Sequence, residues 1–459
     1  MLKQYSFYFF ISLFFLSCES QVKKPNILFI FVDDLGYADL SCYGSDDVLS
    51  PNIDLLATNG IKCTSAYVTA PQCGPSRAGV LSGQYQQRYG FEMNPYRPFL
   101  NSFGLDKRAK TMASYLKSEG YNTYGVGKWD VGQIPSAQPW SRGFDEFFGF
   151  YTGSRHYFTR KNEGNYQSFR DSPTNKFQAK GYVTDILTDE SIEYIEQGLD
   201  SSKSWFQYLA YSCPHWPMEA KKEDLAKFAH VEDLHRRTFL AMMHNLDQNI
   251  GRIYKALEEQ GALRNTLIVF MSDNGGPTGK KRIDPNMPFE LGRNTSLNTP
   301  FRGVKGEVYE GGIRVPCIFT YEGHFKPGLT FEHPISSLDL LASFVDLANG
   351  NEPLEVKSDG KSILPFLKNP ELIPPQRTLY WRWNQQWAIQ EGDWKLVIPN
   401  RRTIELYNLK NDPTESIDLI EQESDRASLL KSKLTEWDHS LEAPKWRKES
   451  ELIQLKVKL

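Results

Sequence analysis

Acidic side chains and an amide follow two of the apolar segments in this sequence of 459 residues. Asp33 and Asp34 directly follow one apolar run, and Asp273 and Asn274 closely follow another. Carboxylate and amide oxygens are the ligands that hard cations such as Ca²⁺ prefer, whereas Zn²⁺ favours His and Cys. A single Asp after a strand is more often a turn or cap residue. A metal site is therefore predicted only if the fold brings the two pairs together.

Two further apolar runs also end in residues that can do chemistry. One leads to Lys128 and Asp130, and the other leads to His215. Each is a weak signal alone, because a lysine is usually just solvated and a histidine after a strand is usually a core or cap residue. The carboxyl ends of parallel strands meet at one edge of an α/β sheet, and sites form there. We therefore expect all four groups to surround one cleft.

The segment 71–83 is the sharpest local pattern. Pro75 suits a first helical position and Gly83 suits a helix exit, so Cys73 is predicted to lie just outside a helix N-terminus. That end carries positive potential and free N–H groups, which favour an anion and lower a thiol pKa. Arg77, one turn further, can make charge-assisted bonds to an oxyanion. A buried structural cysteine remains the alternative at this point.

Runs of strand length alternate with amphipathic segments over the first 350 residues, including a clear helical stripe over residues 232–260. This pattern predicts an α/β fold with a large mixed, mostly parallel sheet sandwiched by helices. Ser50 is expected to cap a short helix that begins at Pro51. The polar and aromatic stretch 155–182 is expected to be an insertion over the sheet edge.

The pattern of apolar and polar residues changes after about residue 350. Four short strand-like runs at hairpin spacing are followed by a helical pattern, which predicts a smaller C-terminal antiparallel sheet plus helix. The predicted organisation is a signal peptide over residues 1–17, a catalytic α/β domain over 24–355 and a C-terminal antiparallel-sheet subdomain over 356–459.

Composition limits the function classes. With 40% hydrophobic residues, the chain has ample material for a core and is neither disordered nor fibrous. The 53 Lys and Arg nearly balance the 56 Asp and Glu. The chain therefore lacks the basic excess that is typical of a protein that binds nucleic acid. Six cysteines do not make a disulfide scaffold in a chain of this length.

The N-terminus predicts export. One Lys precedes an apolar run that is too short to span a bilayer, which needs ~20 residues, but fits a secretory signal. The run ends just before Cys18, as in a bacterial lipobox, so Cys18 is a candidate for lipidation. The predicted location is the bacterial periplasm or a lipoprotein anchored in the outer membrane. Ordinary signal cleavage beside an incidental cysteine is the alternative, and the rest of the chain is expected to be soluble.

The residues Cys73, Pro75 and Arg77, with Leu81 and Gly83 after them, resemble the signature of the type I, formylglycine-dependent sulfatases in the alkaline phosphatase superfamily. The resemblance implies oxidation of this cysteine to formylglycine (3-oxoalanine) by a formylglycine-generating or anaerobic sulfatase-maturating enzyme. It further implies that the hydrated aldehyde is the nucleophile. One of its hydroxyls attacks sulfur, and the other then helps to expel sulfate.

The resemblance also implies roles for other residues. One Ca²⁺ ion is expected to be bound by Asp33, Asp34, Asp273 and Asn274, together with an oxygen of the modified Cys73. Arg77 is expected to hold the formylglycine hydroxyl. The expected sulfate contacts are Lys128, Lys305 and His215, of which the histidine can instead protonate the leaving alcohol.

One position departs from the family pattern. Sulfatases usually have a histidine where this chain has Asp130, and that histidine is bonded to the formylglycine diol. A carboxylate can accept the same proton, but its ordinary pKa is ~3.9 against ~6.5 for histidine. A neighbouring Ca²⁺ is expected to lower its basicity further. We expect Asp130 still to hold the diol, because Lys128 and Trp129 before it match the family.

The predicted function is removal of sulfate from a carbohydrate, with a sulfated poly- or oligosaccharide such as an algal galactan as the expected substrate. Arg155 and His156 are candidates to meet a second charged group of the substrate. Trp383, Trp387 and Tyr157 are candidates to stack on sugar rings. The alternatives are a phosphomonoester or phosphonate hydrolase on the same scaffold and a non-catalytic glycan-binding lipoprotein.

Overall fold

The computed structural model describes residues 24–94, 99, 101–159, 168–277, 296–350 and 356–446. The signal peptide and Cys18 lie outside the described residues, so export and lipidation stay predictions. The boundary at residue 355 also lies outside, and the exact domain division stays a prediction. None of the helices described combines the length and apolar composition of a membrane-spanning segment.

A large sheet lies at the centre of the described structure. Within the described residues it has nine strands. They are β1 (Asn26–Val32), β2 (Ile61–Tyr67), β3 (Asn122–Lys128), β4 (Glu146–Phe150), β5 (Trp205–Ala210), β6 (Thr266–Ser272), β7 (Arg314–Thr320), β8 (Leu329–Phe331) and β9 (Ile335–Ser336).

The strand order is β4-β3-β5-β1-β6-β7-β2-β8, and β9 also pairs with β2. β1 pairs in parallel with β5 and β6, and β3 pairs in parallel with β4 and β5. β7 runs antiparallel to both β6 and β2. The predicted mixed, mostly parallel sheet is therefore confirmed. The carboxyl ends of β3, β5, β1 and β6 lie side by side at one edge.

β1 is buried on both sides, because other elements cover both faces of this sheet. Phe29 and Phe31 join one apolar core, whereas Leu28 and Ile30 join the other. Each such side chain, fully buried, contributes about 1.5–3 kcal/mol. The helices are α1 (Pro51–Thr58), α2 (Cys73–Ser82), α3 (Met112–Ser118), α4 (Val183–Asp200), α5 (Lys222–Lys227), α6 (Leu234–Glu259), α7 (Glu310–Ile313), α8 (Asp339–Asn349), α9 (Leu364–Lys368) and α10 (Ser424–His439).

The N-terminus of α1 is capped from another helix. Ser50 lies at the N-cap position before Pro51, as predicted, but its side chain makes no cap hydrogen bond. The buried Asp247 of α6 instead accepts hydrogen bonds from the backbone N–H groups of Asn52 and Ile53, each at 2.9 Å. The Asn52 side-chain amide donates to the other Asp247 oxygen at 2.7 Å. A carboxylate at this end also matches the positive end of the helix dipole.

We expect Asp247→Ala to lower the free energy of unfolding by about 1–3 kcal/mol, because it strands two backbone donors of α1. Chemical denaturation followed by circular dichroism measures the change. Gln248→Ala, at an exposed neighbouring position, is the control and should stay within about 0.5 kcal/mol of the parent. Equal stability of the two variants would contradict the capping role.

A second sheet of four antiparallel strands lies towards the C-terminus, in the order β10 (Thr378–Trp383), β11 (Gln386–Glu391), β12 (Trp394–Asn400) and β13 (Thr403–Asn408). One face packs on α10 in a core that includes Ile389 and Leu434. The other face joins a core of the large sheet through residues such as Trp381 and Val397. The small sheet is thus held against the large unit by apolar contact.

The described part of the stretch 155–182 lies along the edge strand β4. Arg170 forms an isolated antiparallel bridge with Gly149 of that strand. Tyr157 is buried, and its hydroxyl donates to the backbone carbonyls of Ser212 and His215 at 2.6 and 3.0 Å. This part of the stretch therefore runs from the sheet edge to the loop after β5.

Candidate active site

Three neighbouring strand ends supply one cluster of polar side chains. Asp33 and Asp34 follow β1, and Asp273 and Asn274 follow β6. His215 lies in the loop after β5, which stands on the other side of β1. The cleft predicted from the separate sequence segments is therefore present.

The two aspartate pairs are bonded to each other. The backbone N–H of Asp34 donates to Asp273 Oδ1 at 3.1 Å, and Asn274 Nδ2 donates to Asp34 Oδ1 at 2.7 Å. Asp33 Oδ1 and Asn274 Oδ1 are buried without a hydrogen-bond partner among the described residues. Buried polar atoms without partners are rare in proteins, and these two have the chemistry of ligands for a hard cation.

One potential ligand atom from each of Asp33, Asp34, Cys73 and His215 lies within 4.8 Å of the other three. This group shares Asp33, Asp34 and Cys73 with the predicted ligand set and adds His215, whereas that set also contained Asp273 and Asn274. Asp273 Oδ2 already accepts from Arg77 Nε at 3.0 Å and also contacts its Nη2 at 2.8 Å. The residues fit a metal ion, and His215 places a ligand atom in the same group.

Three buried or largely buried cations surround this cluster. Lys128 Nζ donates to Asp33 Oδ2 at 2.6 Å, and Lys305 Nζ donates to Asp34 Oδ1 at 2.5 Å. Arg77 donates through Nη1 to the Lys128 carbonyl and to the Tyr208 hydroxyl, both at 3.2 Å. A small region therefore holds enough positive charge to bind an anion, although the net charge of the chain is −3.

The charges shift the pKa values of the buried acids in opposite directions. Burial alone would raise the pKa of Asp33, but Lys128 and the other neighbouring cations outweigh it and hold that pKa well below its usual range. Burial and the negative charge of Asp33 raise the pKa of Asp273 to about 7. The negative charge of Asp273 is therefore poorly balanced by the neighbouring cations, and this favours binding of a further cation by the cluster.

Cys73 is the first residue of α2, whereas the sequence pattern placed it outside the helix and gave that position to Pro75. Its Sγ receives contacts from Asn94 Nδ2 at 3.4 Å and Lys305 Nζ at 3.5 Å. Burial raises the pKa of the Cys73 thiol to about 11 despite both lysines nearby. The predicted low-pKa thiol is therefore wrong, because burial outweighs the helix end and the cations.

Asn94 was missed by the sequence reasoning. Its Oδ1 accepts from the backbone N–H of Gly74 at 2.9 Å, so the side chain caps α2 while its amide faces Cys73. Nothing in the segment around Asn94 forms a motif. The only available signal was its residue type, which suits helix caps.

Asp130 is fully buried beside the cluster, with Oδ2 3.6 Å from Lys128 Nζ. Neither of its oxygens has a hydrogen-bond partner among the described residues. Gly153 leaves room for this carboxylate, because a Cβ there would lie 3.0 Å from Asp130 Oδ1. Burial raises the pKa of Asp130 above its ordinary value and outweighs Lys128. This effect opposes the predicted loss of basicity.

His215 is held in one tautomer. Its Nδ1 lies 2.5 Å from the carbonyl oxygen of Trp216, which can only accept, so Nδ1 carries the proton. Nε2 then faces Asp34 Oδ2 at 3.7 Å. Burial lowers the pKa of the His215 imidazole. The neutral ring therefore presents a lone pair to the cluster.

The residues predicted to contact the rest of the substrate differ in their burial. Arg155 is buried, with its guanidinium 3.8 Å from the ring centre of Phe169, so it packs against an aromatic ring. His156 is partly exposed, and its Nδ1 lies 2.8 Å from Glu219 Oε1. Tyr157 and Trp387 are buried and cannot stack on a sugar, whereas Trp383 is only partly buried.

Comparisons with known proteins agree with this arrangement. A family model described as Sulfatase matches residues 25–350, and one described as N-sulphoglucosamine sulphohydrolase, C-terminal, matches residues 304–440. The chain is 28% identical over 391 residues to N-acetylgalactosamine-6-sulfatase of Rattus norvegicus, covering 81% of this chain and 71% of that relative. It is 29% identical over 454 residues to arylsulfatase J of Mus musculus, covering 86% and 73%.

A solved structure is similar over almost the full length of both chains. The crystal structure of Ps i-CgsB in complex with k-i-k-neocarrahexaose is 31% identical to this chain. It superposes with a TM-score of 0.84 and covers 95% of this chain and 97% of the other.

Proposed function

The chain belongs to the sulfatase family and is a sulfatase, and we propose that it removes sulfate from a sulfated carbohydrate at the site around Cys73. The observation that carries this proposal is that Lys128, Lys305 and Arg77 meet in the buried cluster that contains Cys73 at the strand ends. A sulfate ester is an anion that gains charge on its bridging oxygen as it is cleaved. Cations placed in advance stabilise that charge.

We propose that Cys73 is oxidised to formylglycine by a maturating enzyme. With a thiol pKa near 11, the unmodified side chain would be almost wholly protonated at neutral pH and a poor nucleophile. The hydrated aldehyde would supply a hydroxyl nucleophile and a second hydroxyl for release of sulfate. Mass spectrometry of the peptide around residue 73 tests this, and a persistent thiol in protein made with the maturation machinery would contradict it.

We propose calcium as the metal, bound by Asp33, Asp34, Asp273 and Asn274 and by an oxygen of the modified Cys73, with His215 beside it. The support is the predominance of oxygen atoms and the two oxygens that have no hydrogen-bond partner within the described part of the chain. A bound Ca²⁺ would lower the pKa of the attacking hydroxyl and neutralise sulfate oxygens.

The remaining side chains bind and orient the ester. Lys128 and Lys305 would hold the sulfate oxygens, and each now pairs with a different aspartate. Arg77 would hold a hydroxyl of the modified side chain, and its own guanidinium is fixed by bonds to Asp273 and the Lys128 carbonyl. His215 would face the bridging oxygen, and it must first gain a proton on Nε2 before it can donate to the leaving alcohol.

Asp130→Asn is expected to lower kcat by about 10²–10⁴-fold. The carboxylate has two unpartnered oxygens in the site, and its raised pKa makes it a better base for the hydroxyl that expels sulfate. The amide keeps the shape but cannot take the proton. Steady-state kinetics of sulfate release measures the effect, with Asp130→His as the matched variant that restores the residue usual in the family. Full turnover by Asp130→Asn would exclude the role.

We propose a sulfated galactan oligosaccharide as the substrate class. The support is the similarity to Ps i-CgsB, whose crystal structure holds k-i-k-neocarrahexaose. The test is sulfate release by the matured enzyme from neocarra-oligosaccharides and from N-acetylgalactosamine 6-sulfate, measured by ion chromatography. Release from the first set supports the proposal, whereas release from the amino sugar alone would move the substrate class to that of the relative from Rattus norvegicus.

A further inference from the structure

The lysine that contacts Cys73 lies on a segment, residues 302–309, that contains no helix or strand. Lys305 precedes the short helix α7 and belongs to no helix or strand. Its ammonium must nevertheless reach both Asp34 Oδ1 and Cys73 Sγ. On the large unit, the backbone is held by Lys305 N–H donating to the Gly276 carbonyl at 3.3 Å and by Gly306 N–H donating to the Pro71 carbonyl at 2.7 Å.

A glutamine from the small sheet forms hydrogen bonds with the backbone of the same segment. Gln386 is the first residue of β11 and lies 80 residues after Gly306 in the chain. Its Nε2 donates to the Gly306 carbonyl at 2.8 Å, and its Oε1 accepts from the Val308 N–H at 3.1 Å. A side-chain amide combines a donor and an acceptor, so one residue pairs with two backbone groups of the segment. The first of these belongs to the residue next to Lys305.

The end of the segment is held by a buried charge network from the same sheet. Lys395 Nζ lies 2.8 Å from both Glu310 Oε1 and Glu415 Oε1, and all three side chains are fully buried. Glu415 Oε2 also accepts from the backbone N–H of Glu310 at 2.8 Å. Arg302, at the start of the segment, donates to the hydroxyl of Tyr407 on β13 at 2.8 Å. The segment is therefore anchored before and after Lys305.

We propose that Gln386 is a positioning residue for Lys305, so that the small sheet completes the active site without touching the substrate. This inference rests on the proposed function only in that Lys305 acts on the sulfate ester. The network around Lys395 fixes the ends of the segment, whereas Gln386 sets the backbone at the residue beside the lysine. A shift of ~1 Å in a catalytic group can cost about 10²-fold in rate.

The test uses Gln386→Ala and the isosteric Gln386→Met, which keeps the packing if the alanine variant folds poorly. Both are expected to lower kcat for sulfate release by about 10–100-fold while the melting temperature changes little. In a Lys305→Ala background, the same substitution is expected to cost no further activity, because the group that it positions is already gone. Gln385→Ala, the adjacent glutamine of the same turn, is the control and should behave as wild type.

The outcomes separate three accounts. Equal losses with and without Lys305 would assign Gln386 a general structural role and overturn the inference. Wild-type kinetics of both Gln386 variants would overturn it as well, while leaving the sulfatase function intact. An inactive wild-type enzyme on every sulfated substrate would overturn the proposed function first, and the inference with it.

Discussion

The Cys73→Ala variant is expected to release sulfate at least about 10⁴-fold more slowly than the wild type, because removal of a nucleophile commonly costs that much or more. The side chain at this position is where the site converges. Lys305 and Asn94 contact its sulfur, and Asp33, Asp34 and His215 place ligand atoms within 4.8 Å of it and of one another. No substitution of a surrounding residue is expected to reach the same effect.

The loss should be chemical and not structural. The thiol makes only weak sulfur contacts, so its removal is expected to leave the melting temperature nearly unchanged. Cys42→Ala is the matched control, because Cys42 is also a free thiol but lies partly exposed near α1. Comparable activity of the two variants would show that the nucleophile lies elsewhere.

Removal of the bound divalent cation with EGTA is expected to abolish activity and lower the melting temperature by about 5 °C or more. A ligand at about 1,000 times its Kd stabilises the folded state by about 4 kcal/mol, and that contribution is lost with the ion. The physical reason lies in Asp33, Asp34 and Asp273, whose carboxylates crowd together in the interior. Burial and Asp33 already raise the pKa of Asp273 to about 7.

Added Ca²⁺ should restore both properties, and Mg²⁺ should restore them less well, because Mg²⁺ demands stricter octahedral geometry and keeps its waters. Asn274→Ala removes an oxygen that accepts no hydrogen bond from any described residue, and it should raise the Ca²⁺ concentration needed for half-maximal stabilisation. Protein treated with excess Ca²⁺-loaded EGTA is the control for the chelator itself. Full activity in protein shown by elemental analysis to be free of metal would contradict the metal site.

The sequence could predict the sheet and the position of the site for a simple physical reason. Strands buried on both faces, such as β1, are continuous apolar runs, and the polar residues after them must lie at the carboxyl edge. Asp33, Asp34, Asp273 and His215 were found in this way. Cys73 and Arg77 share a helix start, so local spacing alone placed them correctly with respect to each other.

Other features depend on contacts between distant segments and leave no local pattern. Asp247 caps α1 from a helix almost 200 residues away, and Gln386 holds a segment 80 residues before it. The raised pKa of Asp130 comes from complete burial, which a polar residue in a loop does not reveal. Arg155 was expected to meet a charged group of the substrate, but its guanidinium packs against the aromatic rings of Phe150 and Phe169.

The comparison of p-nitrophenyl sulfate with p-nitrophenyl phosphate, made with one matured preparation, tests the central claim most directly. The cations and the buried carboxylates around residue 73 are expected to favour the monoanionic sulfate ester over the phosphate, which carries more negative charge at neutral pH. A higher kcat/KM for sulfate, lost in Cys73→Ala, is the predicted result. Much faster release of phosphate, or sulfate release that survives Cys73→Ala, would contradict the account.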